Sequence, residues 1–326
     1  MDTISSHLQV AGYSFDVFSG DWIRALCSGA KLVMCSESVL DRPAELHSLI
    51  EKQRVECAEF LPTRLRTLVA HMHVNKLIFT TFKILICGSD NWYISEYFDI
   101  KNLLPSGTRL INSYGTSETA IDSSYFEFTD ANLYLAEETV NVPIGKAFPG
   151  MSLELCDEDI IPVTADIPGE LYIGGLGVSL GYINAPELNA QKFVTIQQRQ
   201  GIYFRTGDFA RRLSSRDMEF LGRKDAQVKF RGKRIDLSEI EAALLALPFV
   251  QNGAVMLTEK EGIQHLTAFY VGTEVVISIS SLRATLSTRL PEHMLPDEYV
   301  SMSVLPTNLN GKIDRVALIS KLAQDS

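Results

Sequence analysis

Four short polar clusters carry the side chains best able to bind or polarise a ligand. Ser14-Phe15-Asp16 offers one carboxylate behind an aromatic ring, and Asn112-Ser113-Tyr114-Gly115-Thr116-Ser117-Glu118 offers a flat ring, hydroxyls and a second carboxylate. Tyr203-Phe204-Arg205-Thr206-Gly207-Asp208 ends on a carboxylate, and Asn310-Gly311-Lys312-Ile313-Asp314-Arg315 sets a lysine in an Asn-Gly turn. Taken singly each is ordinary turn chemistry, because Asn, Asp, Ser and Gly satisfy tight turns wherever they occur. A fifth stretch, Gly222 to Glu241, alternates basic and apolar residues over Gln227 to Phe230 and turns at Arg231-Gly232. It then enters a helix from Ser238, with Glu239 and Glu241 in the first turn, where the helix dipole favours anions.

The elements that must position these clusters follow from periodicity. Residues 22–34 read as a helix that stops at Gly29 and feeds a strand over Lys31 to Cys35. An amphipathic helix follows Pro43 and runs to residue 53, then a strand over Glu56 to Phe60 and a helix from Pro62 to about His71. Phe82 to Cys87 is a continuous apolar run ending at Gly88-Ser89-Asp90, the pattern of a buried parallel strand delivering a loop to a site at its carboxyl end. Arg109 to Asn112 repeats it. From Val142 to about Phe220, Pro-Gly and Gly-Gly turns separate short strands. The fold class is α/β with a β-rich subdomain at about 142–220. After Gly222 come the ribbon, a helix over 238–247, strands over 252–257 and 265–271, a helix over 278–289 and a tail.

The totals exclude some functions. Forty acidic against thirty basic residues give a formal net charge of -10, which argues against nucleic acid as the main partner. Cys27, Cys35, Cys57, Cys87 and Cys156 lie without metal-like spacing and read as the reduced thiols of a cytoplasmic protein. Nothing approaches the roughly 20 apolar residues of a membrane span, and Met1 to Tyr13 lacks the pattern of a signal peptide.

Taken in order, the clusters resemble those of the adenylation domains of nonribosomal peptide synthetases, within the acyl-adenylate-forming (AMP-binding) superfamily. The resemblance runs from Phe15-Asp16 through Gly169 to Tyr182, Tyr203 to Asp208, Gly222 to Glu241, Leu290 to Pro296 and Asn310 to Arg315. It implies the C-terminal part of the large adenylation core over residues 1–221 and a mobile α+β lid over 222–326. The implied chemistry is attack of an amino-acid carboxylate on the α-phosphate of ATP, which brings two anions together and calls for cations and alignment. Lys312 is then the catalytic lysine. Gly88, Ser89 and Asn112 line the purine pocket, Tyr114 stacks on adenine, Ser117 contacts phosphate, Asp208 takes the ribose hydroxyls and Arg223 also reaches the nucleotide. Glu118 is the implied Mg²⁺ ligand, a hard oxygen donor. Asp225 is the implied hinge, about which the lid would bring the ribbon around Gly232 to a phosphopantetheine thiol on a carrier protein. The family more often has proline at Thr116 and threonine at Ser117.

Asp16 resembles the carboxylate that binds an amino acid's α-ammonium, which separates amino-acid-activating members from carboxylate–CoA ligases. By the same correspondence the side-chain pocket is lined by Asp16, Val17, Gly20, Glu59, Leu85, Cys87, Ser113, Ile121, Asp122 and Lys312. Two carboxylates facing one cavity are costly unless a cation meets them, and Gly20 leaves room for a long side chain. The set is similar to ornithine-activating domains, which gives ornithine first, then lysine, then arginine. The family's Ser/Thr/Gly-rich loop that cradles the β and γ phosphates does not occur in the sequence, so a missing N-terminal half is expected as a partner. Three readings stand: an adenylating enzyme active with that half, an inactive fragment that keeps the binding pocket, and a carboxylate–CoA ligase.

Overall fold

The computed structural model describes residues 4–90, 92–164, 167–223, 227–260, 263–272, 278–307 and 313–324. The chain divides into two compact units, Met1–Lys224 and Asp225–Ser326. Among the described residues no helix is long and apolar enough to cross a membrane.

The first unit is built on a seven-stranded sheet. Its strands are β1 (Ser6–Leu8), β2 (Lys31–Val33), β3 (Cys57–Phe60), β4 (Ile84–Gly88), β5 (Arg109–Tyr114), β6 (Ser124–Phe126) and β7 (Lys146–Ala147), in the spatial order β2-β1-β3-β4-β5-β6-β7. The pairs from β2 to β5 are parallel, and β6 and β7 add antiparallel. The helices are α1 (Asp16–Cys27), the short α2 (Glu37–Leu40), α3 (Pro43–Gln53), α4 (Pro62–Asn75) and α5 (Ile94–Asn102). Proline opens α3 and α4, and Arg54 and Lys76 close them in the left-handed conformation. The order 2-1-3-4-5 reverses direction between β1 and β3, the topological switch point at which open α/β sheets bind ligands beyond their strand ends.

Strand β1 does not stand out in the sequence because its residues are polar. It lies between β2 and β3, where Ser6 Oγ donates to the Arg54 carbonyl at 2.5 Å and His7 Nε2 pairs with Asp21 Oδ1 at 2.8 Å, while His7 Nδ1 is buried without a partner. Helix α1 starts at Asp16 rather than Trp22, because Ser19, Gly20 and Asp21 hide its amphipathic period. Asp21 is fully buried and also accepts from the Val10 and Ala11 amides at 3.2 and 3.3 Å.

A second, antiparallel sheet holds β8 (Met151–Cys156), β9 (Gly169–Gly175), β10 (Phe193–Val194), β11 (Tyr203–Arg212) and β12 (Met218–Arg223), with α6 (Pro186–Lys192) before β10. It brings Asp208 of β11 opposite Arg223 of β12.

The second unit has a hairpin of β13 (Gln227–Phe230) and β14 (Lys233–Asp236), then α7 (Leu237–Leu245). Arg231 and Gly232 both have positive φ, 50° and 75°, as a two-residue type I′ turn requires. A three-stranded sheet of β15 (Val250–Lys260), β16 (Ile263–Gly272) and β17 (Glu298–Ser301) follows, with α8 (Ile279–Leu286) and α9 (Arg315–Gln324). The tail of the sequence thus contains a parallel edge strand and a helix that periodicity did not single out. Phe230, Ile235, Ile240, Leu244, Val255 and Leu266 lie in this unit's own core.

Candidate functional site

The switch point places Asp16 and Glu59 near each other in the topology, Asp16 at the start of α1 after β1 and Glu59 within β3. The Asp16 carboxylate accepts the Val17 amide at 2.9 Å and the Ser117 hydroxyl at 2.5 Å. Ser117 is 101 positions away, in the loop after β5, so the first and second polar clusters meet in space.

Behind them lies an acidic centre. Glu59 is 5% exposed, and its carboxylate accepts from Arg24 Nη1; Arg24 Nη2 donates to Asp122 Oδ2 at 2.8 Å. Asp21 Oδ1 is 4.0 Å from the same guanidinium. Burial and the repulsion of Asp122 push the Glu59 carboxyl up to about 8, against the pull of Arg24. Burial likewise raises Asp122, and Arg24 opposes the rise. Burial works against the charge of Arg24, but Glu59 and Asp122 outweigh it and hold the guanidinium protonated. Leu85 and Cys87 of β4 are fully buried, and burial pushes the Cys87 thiol well above its ordinary range, which leaves it inert. Ser113 Oγ is buried without a well-formed hydrogen bond, although it lies near enough to Asp122 to ease that charge.

The loop between β5 and β6 is strained where it borders this centre. Ala120 and Ile121 have φ of 59° and 77°, uncommon for any side chain and costly for a β-branched one. The fold tolerates this because the loop folds back on Gly115, where a Cβ would lie 1.8 Å from the Ile121 carbonyl oxygen. Only glycine permits that approach.

On the other side of the loop, Tyr114 is 4% exposed and donates its hydroxyl to Asp208 Oδ2. Asp208 Oδ1 accepts from Arg223 Nη1, and Arg223 Nη2 donates to the Thr206 carbonyl at 2.9 Å. Burial and the adjoining Asp208 carboxylate drive the Tyr114 phenol well up, so it remains a hydrogen-bond donor. Gly88 pairs with Ser113 across β4 and β5, and Ser89 follows with φ 66°. Asn112 spends its amide inside the fold, accepting from Trp92 Nε1 at 2.9 Å and donating to the Val142 and Pro143 carbonyls at 3.2 and 2.7 Å. Glu118 accepts the Tyr182 hydroxyl at 2.5 Å, which ties the loop to the Gly169–Tyr182 motif.

The sequence profile of the AMP-binding enzyme family matches residues 4–183. The chain belongs to the AMP-binding enzyme family. Curated relatives of this AMP-binding chain include gramicidin S synthase 2 of Brevibacillus brevis, 38% identical over 312 residues, covering 95% of this chain and 7% of that one. Bacitracin synthase 2 of Bacillus licheniformis is 37% identical over 313 residues, covering 95% of this chain and 12% of that one. Among solved structures, holo-PA1221, an NRPS protein containing adenylation and PCP domains, has a TM-score of 0.81 at 27% identity, over 97% of this chain and 53% of that one. The Vibrio cholerae adenylation domain AlmE, in complex with glycyl-adenosine-5'-phosphate, shares the fold at a TM-score of 0.82 and 21% identity, over 99% of this chain and 60% of that one. The chain thus spans a small part of its curated relatives and little over half of these solved structures. Its fold is that of the adenylation domains of the adenylate-forming superfamily.

Within the AMP-binding fold, the described site residues form two adjoining groups, one around Asp16, Glu59 and Asp122 and one around Tyr114, Asp208 and Arg223. Val17 and Gly20 lie on α1 with Asp16. Lys312 and Asp225 lie outside the described residues. Arg24 was missed from the sequence, although a signal was present: Asp16, Gly20 and Arg24 recur every four residues and so share one face of α1.

Proposed function

We propose that the chain supplies the amino-acid and ribose sides of an amino-acid-adenylating site. An amino-acid carboxylate oxygen attacks the α-phosphorus of ATP, the bond from that phosphorus to the bridging oxygen breaks, and pyrophosphate leaves. The aminoacyl group then passes from the adenylate to a carrier-protein phosphopantetheinyl thiol, a partner class supported by holo-PA1221, which contains adenylation and PCP domains. The observation that carries this reading is the Asp16–Ser117 hydrogen bond. It sets an acceptor for an α-ammonium beside the loop assigned to phosphate, so both ends of the reacting pair are addressed from one place. A carboxylate–CoA ligase has no use for that carboxylate.

In this reading Asp208, held by Tyr114 and Arg223, takes the ribose hydroxyls, and the Tyr114 ring stacks on adenine. Asn112 acts by tying β5 through Trp92 to the segment that follows β4, with Gly88 and Ser89 bordering the purine. Lys312 stabilises the charge that develops between carboxylate and phosphate. Among the described residues no group of three or more His, Cys, Asp and Glu side chains is placed to hold a metal. One carboxylate is what a Mg²⁺ carried on nucleotide phosphates requires, and Glu118 fits that role. The ion, when bound, would neutralise charge on those phosphate oxygens.

The side chain we assign to the substrate is basic, ornithine before lysine before arginine. Glu59 and Asp122 support it, because when both are ionised they carry one more negative charge than Arg24 neutralises, and a substrate cation beside them would hold Glu59 in that form. ATP–pyrophosphate exchange across the amino acids tests both levels, with the chain alone and with the upstream half of an adenylation domain supplied. Exchange that is fastest with ornithine is expected in the completed domain. Fastest exchange with an apolar or acidic amino acid rejects the basic side chain, and none in either arm from a folded protein rejects adenylation in favour of a fragment that only binds.

A further inference from the structure

The room that Gly20 opens is not empty. A Cβ at position 20 would lie 3.3 Å from Cζ, Nη1 and Nη2 of Arg24, so the guanidinium rests against the bare backbone of α1. From there it reaches Glu59 with one nitrogen and Asp122 with the other, at 2.8 Å for the second. Its side chain is 13% exposed. Glycine at position 20 therefore accommodates a cation belonging to the protein itself, on the same helix face as Asp16.

We infer that Arg24 is a specificity-determining residue that fills the acidic end of the substrate side-chain pocket and limits it to a short cationic side chain. The inference rests on the basic-substrate reading above and adds a length rule to it. With the guanidinium in place, an incoming side chain meets the carboxylates only from the Asp16 end. The Glu59 and Asp122 lone pairs turned away from Arg24 can accept from one ammonium, whose arrival would draw off the proton that burial keeps on Glu59. A three-methylene side chain is the length this assignment allows. Longer ones must displace a guanidinium held by two buried charge-assisted bonds, of the kind that is worth more than a neutral hydrogen bond. Truncating Arg24 removes the plug and frees both carboxylates. L-Arginine then gains most, because its own guanidinium restores both bonds.

Calorimetric titration of the chain with ornithine, lysine, arginine and leucine tests this without relying on catalysis. The wild type is expected to bind ornithine best. In Arg24→Met the ratio of arginine to ornithine affinity should rise by about tenfold or more, the scale at which a pocket discriminates a methylene. Arg24→Lys keeps an ion pair on a shorter reach and should move lysine up against ornithine by a smaller factor; it also serves if the methionine variant does not fold. Unchanged order in both variants, with all ligands weakened alike, overturns the inference and leaves Arg24 as a structural counter-ion. A wild type that prefers leucine overturns the basic-substrate reading, and the length rule with it. Ornithine preference in the wild type with an unchanged order in the variants overturns the length rule alone.

Discussion

Glu59 shows how far a neighbourhood changes a single side chain. Read from the sequence it is one of two pocket carboxylates waiting for a substrate cation; in the fold it already has Arg24, with Asp122 and Asp21 as the other charges near it. Its carboxyl is raised from 4.5 to about 8, so the folded state holds a proton that the unfolded chain releases. A raised acid stabilises the fold fully below its unfolded value, and that contribution is lost as pH rises through the folded one. Urea melts at about pH 5 and about pH 8.5 should therefore show a loss of stability in the wild type that is smaller in Glu59→Gln, the two proteins lying closest on the acid side, where the protonated carboxyl resembles the amide, and parting toward the alkaline side. Parallel profiles would reject the assignment. Asp16, Glu59 and Asp122 were legible because motif order points to them, whereas Arg24 was not. A lone arginine near the end of an amphipathic helix reads as solvated charge until strand β3 and the β5–β6 loop are known to approach it.

At the scale of elements, two motif stretches meet within the second unit. Glu241 of α7 accepts the Val255 amide at 2.8 Å and Arg315 Nη2 at 2.6 Å, and Arg315 Nη1 donates to the Val255 carbonyl at 2.8 Å. Strand β15 is the edge of its sheet, and these two side chains occupy the backbone groups that an exposed edge would offer to another chain. Glu241→Ala should cost this unit about 1–3 kcal/mol by leaving a buried amide unpaired. Glu241→Gln keeps an acceptor and should cost less, both read from urea unfolding; equal losses would show that the amide is not the point. The Asp236 carboxylate caps α7 by accepting the Ser238 amide at 2.9 Å, two residues before the start inferred at Ser238. The sequence displays Glu239 and Glu241 as dipole partners, and only packing reveals that Glu241 serves a strand instead. Elements made of apolar runs, β4 and β5, were readable. Those whose polar residues are held by distant partners, as Ser6 and His7 of β1 are by Arg54 and Asp21, were not.

For the molecule as a whole, each unit carries its own apolar core and its own sheets. Residues 225–326 expressed alone should unfold cooperatively in urea, as an independent domain of that size does. A gradual, non-cooperative melt would show that the unit needs the rest of the chain. The arrangement of the larger unit has a practical consequence for recombining such domains. Arg24, Glu59 and Asp122 lie on α1, on β3 and in the loop before β6, so each finds its ion-pair partner only when all three are present. A graft that imports residues 57–126 from a relative with an apolar pocket but retains α1 would strand a guanidinium against greasy walls. One that imports α1 alone would leave two carboxylates facing each other. Crossovers placed before Asp16 and after Asp122 move the set intact, and such chimaeras should express as folded protein where the others precipitate.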